Sequence, residues 1–148
     1  MNIKFTIPGP AQAKQRPRVN RNTGRIYTPG ATSKYEKLVK ESYGDNPCFE
    51  DQFISVKILF KFEIPKSYNK TKRSEALRGI LRPSRADIDN YIKSVLDGLN
   101  KVAYSDDKYI YKIEAEKMFA EEAETIVEIK NWKKFQIWLT LVRNRTNL

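Results

Sequence analysis

The sequence predicts an α+β fold: a single small domain over residues 1–148, with a mixed sheet of about four strands packed against helices. Three observations carry that prediction. Apolar and polar residues alternate at a period of two in two stretches, as strands with one buried face require, and two further stretches read as strands. Two other stretches repeat apolar residues at helical spacing, and the stronger of them lies between two of the strand-like stretches. The chain has 148 residues and is 40% hydrophobic, enough for one core of ordinary size, with no internal repeat, low-complexity segment or domain boundary.

In chain order, residues 2–7 alternate and stop at Pro8-Gly9-Pro10. This opening reads as a strand rather than a signal peptide. Residues 9–31 read as a long loop carrying Lys14, Arg16, Arg18, Arg21 and Arg25, punctuated by Pro17, Gly24 and Pro29. Ser33 and Glu36 have capping-box spacing, and Tyr35, Leu38, Val39 and Tyr43 share one helical face. A helix is expected over 33–43, ended by Gly44 and Pro47. From Ile54, residues Val56, Ile58, Phe60, Phe62 and Ile64 point one way, and Lys57, Lys61 and Glu63 the other, which describes a long strand stopped by Pro65. Residues 66–86 form a basic, polar excursion with a short helix expected around 74–80. It reads either as a solvated excursion or as a mobile basic flap near a substrate. The clearest helix covers 87–102, where Ile88, Tyr91, Ile92, Val95, Leu96, Leu99 and Val102 make a continuous stripe. Two strands follow at 109–119 and 124–130, joined by the acidic turn Glu121-Glu122-Ala123. Trp132, Phe135, Trp138, Leu139 and Val142 then suggest a closing helix, so 131–148 is expected to be a C-terminal helical extension.

Composition narrows the chemistry. A net charge of +10 draws polyanions, nucleic acid first among them. The longest apolar runs are strand-length, so no membrane span is expected. The chain has no histidine, which removes histidine-activated nucleases, Ser-His-Asp hydrolases and most zinc enzymes. Cys48 is the only cysteine, which excludes an internal disulfide or a four-thiolate site; it reads as a small inert apolar residue, and a cytoplasmic setting fits. Any reactive groups must come from Asp, Glu, Lys, Tyr or Ser, or from hard cations held by carboxylates.

The acidic candidates are Asp87 and Asp89 in the motif Asp87-Ile88-Asp89-Asn90, and the pair Asp106-Asp107 after the helix. Lys93 lies one turn beyond Asp89. Each has a structural explanation: Asp87 as an N-cap, Asp89 as a helix-dipole partner paired with Lys93, and Asp106-Asp107 as a turn. Caps and turns do not by themselves explain acidic clustering in so basic a chain.

The stretch with Asp87-Ile88-Asp89-Asn90, Lys93, Asp97-Gly98-Leu99, Asp106-Asp107 and Glu116-Lys117 resembles the signature of RusA-type Holliday junction resolvases. Lys14-Gln15-Arg16-Pro17-Arg18, Tyr27-Thr28-Pro29 and the Tyr35 helix are similar to larger members of that family, so the resemblance covers most of residues 1–130. Ala86 departs from it, standing where relatives often carry proline. The resemblance implies a RusA-like fold and a homodimer that binds four-way DNA junctions and nicks opposing strands. It implies Mg²⁺, with Mn²⁺ as an alternative, held by Asp87, Asp89 and Asp107, with Asp106 as a further acid. It places Lys93 beside the scissile phosphate. Lys14, Arg16, Arg18, Arg21 and Arg25 are then expected to grip DNA backbone phosphates. Two rivals stand beside this reading: a basic nucleic-acid-binding protein without catalysis, and a related metal nuclease acting on flaps or duplex. Convergence of Asp87, Asp89 and Asp107 in space would favour an enzyme.

Overall fold

The computed structural model describes residues 1–131. Strand β1 (Asn2–Pro8) is followed by a two-stranded ribbon, β2 (Arg18–Val19) and β3 (Ile26–Tyr27), and by helix α1 (Gly30–Tyr43). Then come β4 (Ile54–Glu63), α2 (Lys70–Leu77), α3 (Ile88–Leu99), a 3-10 turn (Asp107–Tyr109), β5 (Ile110–Ala120) and β6 (Glu124–Asn131). The helical extension expected over 131–148 lies outside the described residues, apart from Asn131, which ends β6.

The main sheet has the order β1-β6-β4-β5. β6 pairs antiparallel with both β1 and β4, while β4 and β5 are parallel, so the sheet is mixed as expected. The acidic turn after β5 does not close a hairpin. β4 lies between β5 and β6, and the short link passes over the end of β4, where Pro65 has turned the chain away. One sheet face carries the core. Ile3, Phe5 and Ile7 of β1, Ile54, Val56, Ile58 and Phe60 of β4, and Val127 and Ile129 of β6 meet Tyr35, Val39 and Tyr43 of α1 and Tyr91, Val95 and Leu99 of α3. Every second residue of β4 from Ile54 to Phe60 is buried, as its alternation predicts. A smaller cluster of Ile64, Ala76 and Phe119 docks α2 against β5.

Three local expectations change. The short helix expected around 74–80 forms earlier, over Lys70–Leu77. α1 begins at Gly30, before the expected start, and no capping box forms. Pro29 takes the N-cap position, Ser33 Oγ donates back to the Pro29 carbonyl, and Glu36 is drawn off by Lys14. The loop over 9–31 is also not wholly irregular. Asn20 and Arg25 close the β2–β3 ribbon, and Asn20 Oδ1 accepts from the amides of Asn22 and Thr23.

Gly98 sets how closely the helices approach. A Cβ there would sit 2.8 Å from Val39 Cβ and 2.9 Å from the Glu36 carbonyl oxygen, so α3 meets the main chain of α1. Gly98→Ala gains about 1 kcal/mol of helix propensity but overpacks the contact by about 1–3 kcal/mol. We expect a lower midpoint in denaturant-induced unfolding; a higher midpoint would show that α1 can give way.

Candidate active site

The head of α3 is built by Ile88, which packs partly buried against the core and leaves Asp87 and Asp89 on either side of it in solvent. Asp87 holds the N-cap position in an extended conformation, φ −72° and ψ 139°, yet its carboxylate makes no capping hydrogen bond. The cap role open to it from sequence is therefore not taken. Asp89 lies in the first turn, where the helix dipole favours it, and its Oδ1 accepts from the Asn90 amide at 2.9 Å. Lys93 is exposed and makes no ion pair among the described residues, so the Asp89–Lys93 surface pair is not formed.

Asp106 does act as a cap. Its Oδ1 accepts from the Lys108 amide at 3.0 Å at the start of the 3-10 turn. That hydrogen bond, with attraction from Lys108 and Lys101, holds its carboxyl below the ordinary aspartate range. Asp107 is the exposed first residue of the same turn. It acts together with Asp97 on buried Tyr104: burial chiefly, and then these two charges, push the Tyr104 phenol well above its usual range. Tyr104 donates to the Leu96 carbonyl at 2.7 Å. At 1.5 Å of rise per residue, Leu96 lies roughly 13 Å along α3 from Asp87.

The sequence suggested that Asp87, Asp89 and Asp107 would converge. Among the described residues no three acidic side chains gather closely enough to hold a metal ion. The donor chemistry still suits one ion. Mg²⁺ prefers carboxylate oxygens, keeps several waters, and is commonly held by one or two carboxylates together with substrate phosphates. Asp87 and Asp89, exposed and in no ion pair among the described residues, match that open kind of site. A hollow of about 410 Å³ lined by Gln12, Phe62, Arg85, Ala86 and Tyr91 reaches the residue before Asp87 but is lined by neither acid.

The expected phosphate-gripping residues divide. Arg16, Arg18, Arg21 and Arg25 lie on or beside the ribbon, are all exposed and form no ion pairs among the described residues. Lys14 is turned inward, bonded to Glu36 and, at 2.8 Å, to Asp97. Partial burial alone would lower its pKa, but hydrogen bonds to Asp97 and Glu36 outweigh this and raise it. The loop is pinned as well: the Lys14 amide donates to the Asn90 carbonyl at 2.8 Å, and the Gln15 amide to Thr32 Oγ1 at 3.2 Å. Sequence reasoning gave Glu36, Asp97, Arg82 and Lys117 no role at the site, since their partners lie far away in the chain and leave no local periodicity.

A family model described as "Endodeoxyribonuclease RusA" matches residues 8–130. A relative from Bacillus subtilis (strain 168), named "Uncharacterized protein YqaN", is 33% identical over 136 residues, covering 86% of this chain and 95% of its own.

Lys14 joins the ribbon's base to both helices. Removing it leaves Glu36 and Asp97 facing each other without their shared cation. Lys14→Ala is expected to cost about 1–2 kcal/mol in chemical unfolding. Adding Glu36→Gln is expected to return part of that loss; no return would place the stabilisation elsewhere.

Proposed function

The chain belongs to the RusA family of endodeoxyribonucleases, and from that premise we propose that it is a divalent-metal-dependent enzyme that resolves four-way DNA junctions by paired nicks. The carrying observation is the pair of exposed, uncapped carboxylates at the head of α3, Asp87 and Asp89, with Lys93, which makes no ion pair among the described residues, one turn on. Asp87 and Asp89 would hold the ion, with Asp107 as the third donor that the family pattern suggests. When bound, Mg²⁺ or Mn²⁺ supplies neutralisation of the phosphate oxygens and a more acidic attacking water.

The chain's own groups have distinct tasks. Lys93, on the exposed side of α3, presents an ammonium to charge that develops on the reacting phosphate. The α3 N-terminus adds its positive dipole end beside the anionic strand. Arg16, Arg18, Arg21 and Arg25 reach flanking phosphates, which orient the substrate without reading bases. Lys14 holds the base of this grip rather than joining it. A second copy of the chain, as the family pattern suggests, would supply the second nick. A cytoplasmic setting fits an enzyme acting on DNA, and among the described residues no helix is long and apolar enough to cross a membrane.

A non-catalytic nucleic-acid-binding protein is the second reading, favoured by the absence of a three-acid group among the described residues. Cleavage of a synthetic four-way junction with and without Mg²⁺ separates the two. Asp87→Asn, Asp89→Asn and Asp107→Asn are each expected to abolish cutting while junction affinity holds or rises, because charge is lost and shape is kept. Wild-type turnover in Asp107→Asn would remove that residue from the site. Lys93→Ala is expected to lower kcat far more than binding.

The ribbon arginines make a different prediction. Replacing Arg16 and Arg18 with alanine is expected to weaken binding to all DNA sequences about equally. The log–log salt slope would flatten by about 0.9 for each duplex phosphate that is no longer neutralised. Unchanged affinity and slope would mean that DNA runs along another face.

A further inference from the structure

The peptide that leads into Asp87 has an unusual conformation. Ala86 has φ 118°, a region where a side chain is disfavoured and which an alanine keeps only under constraint. The constraints are visible. Lys117 Nζ donates to the Ala86 carbonyl at 2.8 Å. The Ala86 amide donates to the Ser84 carbonyl at 3.2 Å. Just upstream, Arg82 bonds Glu116 at 2.7 Å and the Lys117 carbonyl at 3.2 Å. The segment before α3 is thus stitched to the Glu116–Lys117 step of β5.

Lys117 stands beside Phe60 in the parallel register. It makes no ion pair among the described residues, so its hydrogen bond goes to a neutral carbonyl adjoining a candidate acid. Downstream, α3 is locked by buried Tyr91, Val95 and Leu99. Between these two anchors the adjustable link is the Ala86–Asp87 peptide. We propose that Lys117 is a positioning residue for the nuclease site: its ammonium holds the strained Ala86 peptide and so sets the direction in which Asp87 leaves the head of α3. This rests on the nuclease reading above.

The test compares the full chain with Lys117→Met, which keeps the length of the stem, and Lys117→Arg, which restores a donor. Amide NMR signals of Ala86, Asp87 and Ile88 in metal-free protein report the peptide directly. Calorimetry with Mn²⁺ reports ligand arrangement, and steady-state cutting of a synthetic four-way junction separates kcat from KM. In Lys117→Met the three signals are expected to move while those of β1 and α1 stay. Mn²⁺ affinity is expected to fall severalfold and kcat tenfold or more, with KM and junction Kd within twofold. Lys117→Arg is expected to recover most of the loss. Wild-type kcat with unmoved signals overturns the proposal. So does a junction Kd that weakens in step with kcat, since Lys117 would then be a DNA contact. A wild-type protein that binds junctions without cutting them overturns the nuclease reading instead; moved signals in Lys117→Met would then still support the hold on the peptide.

Discussion

Parallel pairing of β4 with β5 is the constraint on which the rest of the structure depends. Strands that run the same way cannot be joined by a tight turn. The chain leaving Glu63 must travel back along the sheet before it enters Ile110 beside Ile54. α3 is the main element of that return, and Tyr91 near its head packs against Phe60 and Phe62 near the end of β4. The first residues of α3 therefore emerge at the carboxyl ends of the two parallel strands. Sheets with parallel strands repeatedly place ligand sites there, because helix N-termini and loops converge at that edge. The position of Asp87 and Asp89 is a consequence of topology before it is a matter of chemistry.

Close approach of the two helices then ties the N-terminal arm to the same place. Gly98 allows α3 to meet the main chain of α1, and this brings Glu36 and Asp97 near enough to share Lys14. The Lys14 amide reaches Asn90 in the first turns of α3. Lys14 thereby acts as an anchor for the segment that carries the ribbon arginines. Such a partly buried cation between two carboxylates is costly to break from one side, and it holds the base of the ribbon to the head of the helix.

The sequence made the regular elements legible where one periodicity dominates. The alternation from Ile54 to Ile64 and the stripe from Ile88 to Leu99 each report a single buried face, and both elements form nearly where expected. The insertion of β4 between β5 and β6 was not legible. Strand patterns record which face is buried but not which strand lies alongside. The Ser33–Glu36 capping box failed because a distant lysine competed for Glu36. At the site, spacing together with the family resemblance singled out Asp87, Asp89, Asp107 and Lys93; Asp87, Asp89 and Lys93 stand at the head of one helix, while Asp107 lies in the 3-10 turn beyond it. Spacing could not show that Asp106 is occupied as a cap, that Lys14 points inward, or that Ala86 takes a positive φ. The inward turn of Lys14 and the strain at Ala86 depend on partners tens of residues away.

Charge distribution bears on the proposed use of acidic residues against a polyanionic substrate. On the sheet face away from the helices, Lys4, Glu128, Lys57 and Glu114 stand side by side across the four strands. Alternating signs on neighbouring strands largely cancel there. Among the described residues the positive charge is concentrated in the Arg16–Arg25 arm and in the excursion from Lys66 to Arg85. Each of these segments is pinned to the first turns of α3 or the step before it, one through Lys14 and Asn90, the other through Lys117 and Ala86. On the proposed nuclease reading, these two basic segments would draw DNA toward Asp87 and Asp89 over a Debye length of about 8 Å at physiological salt. On that reading, the two exposed carboxylates alone would repel a phosphate brought to them. With the cations nearby, that repulsion would be local, felt at the phosphate next to the two acids, where a divalent ion would also be most strongly recruited.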